Sequence, residues 1–157
     1  MGSEKKIAVV ALGSNMAPRE EYLREALLAL GEIGETRVIR VSSVIETDGV
    51  GVPEEFRGQK FLNQAAMIET SLEAPEFSRR MHAIEDRLGR VRTVRNGPRT
   101  IDLDLIAFGN ERMETEELTL PHPRAAGREF VMAPLRELGL DGCLDWGKIL
   151  RGNEKTP

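Results

Sequence analysis

The chain has 157 residues, of which 40% are hydrophobic and 31% charged, with a formal net charge of −4. This suits one domain with a single core and excludes general nucleic-acid binding, because no excess of Lys and Arg is available to neutralise phosphates. No apolar run approaches the roughly 18 residues of a membrane span. The single cysteine, Cys143, excludes an intramolecular disulfide or a thiolate metal cluster and fits a cytoplasmic protein, the predicted compartment.

The first half of the chain predicts a strand, a helix and a second strand. The β-branched run at 6–12 reads as a strand. A helical pattern of apolar residues begins at Pro18 and continues to Leu30. Residues 36–47 alternate between apolar and polar side chains, as in a strand with one buried face. A loop rich in glycine and charge then occupies 48–60.

The second half predicts a strand at 61–72, a helix at 73–88 and a fourth strand at 99–108. Pro75 lies in the first turn of that helix and Gly89 just past its end, which is the usual asymmetry of helix ends. Three weaker segments are a small hairpin or loop, a third helix and a short last helix, at 109–120, 127–138 and 144–152.

The order strand, helix, strand, strand, helix, strand predicts an α+β fold of the ferredoxin-like βαββαβ type. In that fold an antiparallel sheet has its helices on one face, and we expect the active site on the other. A single domain over 1–157 is predicted, and a monomer is expected, since one chain carries the whole of the predicted site.

The strongest chemical signal is an acidic pair on the fourth predicted strand. Strand side chains alternate, so Asp102 and Asp104 share one face while Leu103 and Leu105 share the other. The leucines belong in the core, and the aspartates must face water or a ligand. Their Cα atoms are expected to lie about 6.6–6.8 Å apart. Two carboxylates at that spacing can hold Mg²⁺ together with substrate phosphates.

An arginine cluster directly precedes this pair and changes its interpretation. Alone, two aspartates separated by one residue are more often the polar face of an exposed strand, paired with neighbouring arginines. Here glycines flank much of the cluster and allow the segment to move, and guanidinium groups bind phosphate oxygens in a bidentate way. Phosphoryl-group chemistry is therefore predicted. The cluster consists of Arg87, Arg90, Arg92, Arg95 and Arg99.

Two further positions are weaker signals. Phe61 and Asn63 lie two apart at a strand start, so an apolar ring and an amide share a face. His122 lies between two prolines, and a lone histidine is more often structural than functional. The chain has no P-loop motif and no nucleophile elbow.

Five motifs together carry a resemblance to a known family. They are ALGSN (11–15), FLNQAA (61–66), GRVR (89–92), RNGPRTIDLDLIAFG (95–109) and LTLPHPR (118–124). In this order they resemble 6-hydroxymethyl-7,8-dihydropterin pyrophosphokinases, enzymes of folate biosynthesis with a ferredoxin-like fold. The resemblance implies transfer of pyrophosphate from ATP to the pterin hydroxymethyl group, with release of AMP.

The resemblance also implies roles for individual residues. Asp102 and Asp104 would hold two Mg²⁺ ions, with ATP as co-substrate, and Arg90, Arg92 and Arg95 would be catalytic together with the two aspartates. The pterin would be bound by Thr47, Gly49, Val50, Phe61, Asn63 and Phe130. The nucleotide would be bound by Glu85, Arg99, Leu105, Thr119, His122 and Arg128.

The chain departs from the family pattern at four positions: Asn96 and Pro123, where aromatic residues occur, Glu117, where some members have arginine, and His82, often glutamine. Two rival functions stay open. One is another Mg-dependent phosphoryl or nucleotidyl transferase built on the same aspartate pair. The other is a non-catalytic ferredoxin-like binding domain, in which replacing the aspartates would leave ligand binding intact.

Overall fold

The computed structural model describes residues 4–48, 60–89 and 100–146. Within these ranges the strands are β1 (Lys6–Ser14), β2 (Thr36–Val41), β3 (Ile45–Asp48), β4 (Lys60–Thr70), β5 (Asp102–Phe108), β6 (Met113–Glu114) and β7 (Thr119–Leu120). The α-helices are α1 (Arg19–Gly31), α2 (Ala74–Arg87) and α3 (Glu129–Glu137), with short 3-10 turns at Ala125–Gly127 and Cys143–Asp145.

The main sheet is antiparallel, with strand order β2-β4-β1-β5, and β3 also pairs with β4. The long central strands β1 and β4 therefore separate β2 from β5. The small strands β6 and β7 form a hairpin, one of the two predictions for 109–120. The predicted α+β class with an antiparallel sheet is confirmed.

The prediction of one continuous strand over 36–47 is wrong, because the structure has two strands there, β2 and β3. The division falls at Ser42, whose Oγ accepts the backbone N–H of Ala65 at 2.9 Å. The side-chain amide of Gln64 donates to the Ser42 carbonyl oxygen at 2.8 Å. Side-chain groups thus replace part of the regular ladder, which lets the chain bend there. Local composition gives little warning of such a substitution.

Helices α1 and α2 cover one face of the sheet, as predicted. Leu12, Leu103 and Leu105 point into this layer and pack with Leu30 and Phe77 of the two helices. Removing such side chains from water is the main source of stability for a domain of this size.

Helix α3, to which the sequence assigned no face, packs on the opposite face, where the active site was expected. There Val131 and Leu135 contact a second apolar cluster that includes Val9, Ala65 and Ile106 of the sheet. Helix α3 covers only part of this face. The other end of the same face carries polar side chains and is described below. Among the residues that the structure describes, no helix has the length and apolar character needed to cross a membrane.

Candidate functional site

One row of residues crosses four strands on the face opposite α1 and α2. Ile45 of β3 is paired with Asn63 of β4, Asn63 with Gly13 of β1, and Gly13 with Asp102 of β5. Directly paired residues point to the same face. Asn63 and Asp102 therefore stand on either side of a residue without a side chain, separated by about 10 Å, or two strand spacings.

The neighbouring row has the same form. Ala65 is paired with Ala11, and Ala11 with Asp104. Glycine and alanine thus form the floor between an amide on one side and two carboxylates on the other. A Cβ atom at Gly13 would lie 3.3 Å from Asn63 Oδ1, closer than an ordinary contact. Glycine at position 13 therefore leaves free the space in which a side chain would contact the Asn63 amide.

Asp102 and Asp104 are half-buried on this face, while Leu103 and Leu105 are buried under the helices. The predicted alternation is therefore confirmed. Among the described residues no group of three or more acidic, histidine or cysteine side chains could hold a metal. Two carboxylates on one face still fit Mg²⁺, which commonly keeps several waters and binds proteins through one or two carboxylates plus phosphates.

Asn63 is buried and its orientation is fixed by Thr47, whose Oγ1 accepts a hydrogen bond from Asn63 Nδ2 at 2.6 Å. This bond places the amide oxygen toward Gly13, consistent with the short distance found there. The acceptor and the remaining N–H of the amide are thus held in fixed directions. Phe61, two residues before Asn63, is paired with Thr47 and is half-buried.

Phe130 lies in the first turn of α3 and packs against the second apolar cluster, on the same face as the aspartates. The Arg128 guanidinium carbon lies 5.8 Å from the centre of the Phe130 ring.

The C-terminal end of α3 is attached to the β2–β3 junction by Glu137. This carboxylate accepts the Ser43 N–H at 2.6 Å and the Ser43 hydroxyl at 2.8 Å. The position of Phe130 is thereby linked to β3.

The outer edge of β5 is covered by two separate segments. Glu85 of α2 accepts the backbone N–H of Leu103 at 2.7 Å, and the backbone N–H of His122 donates to the Ile106 oxygen at 2.8 Å. Leu105 lies between these two contacts. Because backbone groups alternate in direction along a strand, we expect its N–H and C=O to point outward, like the N–H of Leu103.

The surroundings of His122 favour its neutral ring. Burial lowers the pKa of His122 below the usual 6.5, and the charges of Arg128 and Arg124 lower it further, whereas Asp102 opposes this shift. The backbone N–H of Arg124 donates a hydrogen bond to His122 Nδ1 at 3.2 Å. In the neutral ring Nε2 then carries the proton and is a hydrogen-bond donor.

Two of the departures from the family pattern have defined partners. His82 Nδ1 lies 2.9 Å from Glu85 Oε1. Glu117 accepts a hydrogen bond from Arg79 of α2 at 2.7 Å, which ties the segment before β7 to that helix. Pro123 is exposed, and Asn96 lies outside the described residues.

Several predicted site residues also lie outside the described ranges. They are Gly49, Val50, Arg90, Arg92, Arg95 and Arg99. Of the others, Thr47, Asn63, Asp102 and Asp104 are brought to one face by the strand pairing. Thr119 lies in β7 and is paired with Glu114.

Reasoning from the sequence missed Gly13, Ala11 and Glu137. A glycine inside a strand is itself a signal, because it often marks the close approach of another group. Its partners, however, depend on strand register. Cys143 is not a candidate, since burial raises the pKa of its thiol to about 12.

Comparison with known proteins gives a consistent result. Residues 9–139 match the family model of 7,8-dihydro-6-hydroxymethylpterin-pyrophosphokinase. Structurally, the chain is similar to crystal structures of Plasmodium falciparum HPPK-DHPS. For the wild-type protein with pteroate, the TM-score is 0.63 at 15% identity, over 87% of this chain and 39% of that chain. This likeness supports the fold alone, and the chain spans less than half of those longer proteins.

Curated relatives are closer in sequence. The 2-amino-4-hydroxy-6-hydroxymethyldihydropteridine pyrophosphokinase of Bacillus subtilis is 48% identical over 132 residues, covering 84% of this chain and 77% of the relative. The enzyme of the same name from Pseudomonas aeruginosa is 38% identical, covering 90% and 85%. With the site geometry, these matches lead to one conclusion: the chain belongs to the 7,8-dihydro-6-hydroxymethylpterin-pyrophosphokinase family.

Proposed function

We propose that this chain transfers the pyrophosphoryl group of ATP to the hydroxymethyl oxygen of 6-hydroxymethyl-7,8-dihydropterin, a step of folate biosynthesis, with Mg²⁺ bound by Asp102 and Asp104. The reaction is that of its family. The observation that carries the residue assignment is the row Asn63–Gly13–Asp102. It supports a substrate bound by the amide at one end, with its reacting group directed across the glycine toward the carboxylates.

On the acceptor side, the Asn63 side-chain amide forms hydrogen bonds with the edge of the pterin that carries donors and acceptors. The hydrogen bond to Thr47 keeps the Asn63 amide from rotating. Phe61 and Phe130 supply apolar rings on the same face, suited to stacking on a flat heterocycle. Gly13 leaves room for the ring edge. Gly49 and Val50 remain predicted contacts from the segment that lies outside the described residues.

On the metal side, Asp102 and Asp104 offer carboxylate oxygens on one half-buried face. When bound, Mg²⁺ supplies charge neutralisation and orientation of the polyphosphate oxygens. Two ions are proposed because the family resemblance implies them; aspartate Cα atoms expected about 6.6–6.8 Å apart are compatible with one cation or with two. The acceptor hydroxyl oxygen forms a bond to the β-phosphorus and loses its proton to solvent, and the bond from that phosphorus to the oxygen bridging the α-phosphate breaks, releasing AMP.

On the nucleotide side, we assign ATP to the outer edge of β5. Leu105 would offer backbone groups there, and neutral His122 a donor at Nε2. Arg128 lies close enough to influence His122, and its charge suits phosphate. Thr119 and Glu85 complete the proposed set within the described residues. The arginines Arg90, Arg92, Arg95 and Arg99 are proposed to stabilise the charge that develops on the transferred group.

The strand order supports the ferredoxin-like fold. If β2 and β3 are counted together as the second strand of the βαββαβ core, the observed order β2-β4-β1-β5 is the order second, third, first, fourth that this fold requires. We also infer that the chain acts as a single domain and as a monomer in the cytoplasm, with small-molecule substrates. Light scattering coupled to size-exclusion chromatography tests the monomer, and a dimer that loses activity on dilution would contradict it.

The proposed reaction is tested by incubating the protein with ATP, Mg²⁺ and 6-hydroxymethyl-7,8-dihydropterin and separating the products. We expect AMP and the pyrophosphorylated pterin in equal amounts, and none without the pterin. ADP or free pyrophosphate in place of AMP would point to the rival transferase. Absence of any nucleotide product from folded protein would favour a non-catalytic binding domain.

A further inference from the structure

Glu85 is a carboxyl group without exposed surface. Burying such a group is costly unless hydrogen bonds compensate. Its Oε2 accepts the backbone N–H of Leu103 at 2.7 Å, and its Oε1 lies 2.9 Å from His82 Nδ1. His82 is half-exposed on the same helix, one turn earlier. Glu85 therefore joins α2 to the backbone of β5.

The point of contact on β5 is significant. Leu103 stands between the two aspartates, and its amide belongs to the peptide group that joins it to Asp102. In the sheet β5 is paired with β1, and its other edge is covered at this point by Glu85. This peptide group is flanked by the Cα atoms of Asp102 and Leu103, so a rotation of it would turn the Asp102 side chain directly and would disturb Asp104 through the Leu103 backbone. A hydrogen bond to its N–H limits that rotation, as a further strand would.

We propose that Glu85 is a positioning residue that holds the Leu103 amide and thereby fixes the directions of Asp102 and Asp104, and that His82 in turn orients Glu85. The proposal rests on the proposed function only in assigning a metal to the two aspartates. It gives Glu85 a role through the strand, in addition to the place on the nucleotide side that the family resemblance implies.

The first test measures hydrogen exchange of the Leu103 amide by NMR, without metal or substrate. In Glu85→Ala we expect exchange at Leu103 to become about tenfold faster relative to Leu12, its partner on β1, because a buried donor loses its acceptor. Glu85→Gln should restore protection, since its amide oxygen can accept the same bond. His82→Ala, at a half-exposed position, should give a smaller effect in the same direction.

The matched control is Ile84→Ala, which truncates the adjacent buried side chain of α2 and leaves the Leu103 contact in place. It reports what general loosening of the helix does. If Ile84→Ala accelerated Leu103 exchange as much as Glu85→Ala relative to Leu12, the proposal would be wrong. Should Glu85→Ala not fold, Glu85→Met replaces it, because methionine fills similar space without an oxygen acceptor: Leu103 must lose protection in Glu85→Met and keep it in Glu85→Gln.

The second test measures Mn²⁺ binding by electron paramagnetic resonance in the presence of the α,β-methylene analogue of ATP. We expect Glu85→Ala to weaken Mn²⁺ binding by about 10- to 100-fold, the usual effect of losing a group that orients metal ligands. Glu85→Gln should recover most of it. Because Glu85 also belongs to the proposed nucleotide side, Glu85→Ala should weaken binding of the analogue without metal as well, and the positioning role requires the loss of Mn²⁺ binding to exceed that loss. Losses of equal size would mean that Glu85 acts only by touching the nucleotide.

These measurements separate the proposal from the proposed function. If the wild-type protein forms no AMP, the proposed function fails, while Leu103 exchange still reports on Glu85. If AMP forms and Leu103 exchange in Glu85→Ala matches that of the wild type, only the positioning role is overturned.

Discussion

The two sides of the proposed site are built in different ways. The proposed acceptor side lies on one face of the sheet, where Asn63, Gly13 and Asp102 stand on adjacent strands in register. The proposed nucleotide side is the edge of β5, which α2 and the segment after β7 contact. Side chains on a paired sheet have little freedom, so the acceptor side should tolerate substitution least. The edge depends on separate contacts, each of which can be lost alone.

The aspartates are where the two sides meet, and replacing them should have the largest effect. In Asp102→Ala and Asp104→Ala we expect AMP formation to fall by about 10³-fold or more, since charge on the transferred group is no longer neutralised. Pterin binding should change little, because Asn63 stands about 10 Å away across the floor.

Rates of AMP formation and calorimetric titration with the pterin measure these two quantities. Glu25→Ala, an exposed substitution on α1, serves as the control and should keep wild-type rates. If either aspartate variant retained normal turnover, the division into an acceptor side and a metal side would be wrong.

The floor of the acceptor side should be the next most sensitive feature. In Gly13→Ala the new methyl group meets Asn63 Oδ1 at 3.3 Å, so the amide must move. Overpacking of this kind typically costs about 1–3 kcal/mol, which corresponds to roughly 5- to 150-fold weaker pterin binding. ATP binding, along the β5 edge, should be unchanged.

Pterin and ATP affinities measured separately by calorimetry test this asymmetry. Gly34→Ala is the matched control, because a Cβ there meets nothing within 4 Å. Equal losses for both ligands in Gly13→Ala would show that the two sides are not independent.

The orientation of Asn63 gives a smaller, more specific test. Thr47→Val keeps the shape of residue 47 but removes the oxygen that accepts from Asn63 Nδ2. We expect pterin affinity to fall by about fivefold, near 1 kcal/mol, because the amide is then free to turn. The remote Thr36→Val, which removes the hydroxyl contact to Thr70, is the control for loss of a hydroxyl group. A crystal structure of Thr47→Val with the amide in its original orientation would contradict the explanation.

The same contrast explains how much could be predicted from sequence. Alternation along one strand is a local property, so the facing directions of Asp102, Leu103 and Asp104 followed from the residues alone. The partnership of Gly13 with Asn63 depends on strand register, which the sequence does not specify by itself. Glu85 and Leu103 are 18 residues apart, and their contact depends on how α2 packs. Ser42 divides the strand at 36–47 because its side chain replaces a backbone partner, which local pattern does not reveal.

The smallest expected effect is a pH dependence of stability at the β5 edge. Burial and neighbouring arginines lower the pKa of His122 in the folded protein below its usual 6.5. The unfolded chain therefore binds a proton at His122 more readily than the folded protein does. The contribution of neutral His122 to the free energy of unfolding is fully present above pH 6.5. It declines as the pH falls through 6.5 toward the lowered pKa of the folded protein.

Urea unfolding of the wild type and His122→Gln at several pH values measures this contribution. We expect the wild type to lose more free energy of unfolding than the variant as the medium is acidified, because glutamine does not titrate. Asp102 opposes the shift, so Asp102→Asn should increase the loss of free energy of unfolding on acidification. The acceptor side relies on the uncharged groups of Asn63 and Thr47, and its pterin affinity should stay constant over the same pH range. Parallel pH profiles for the wild type and His122→Gln would show that the folded environment does not disfavour the charged ring.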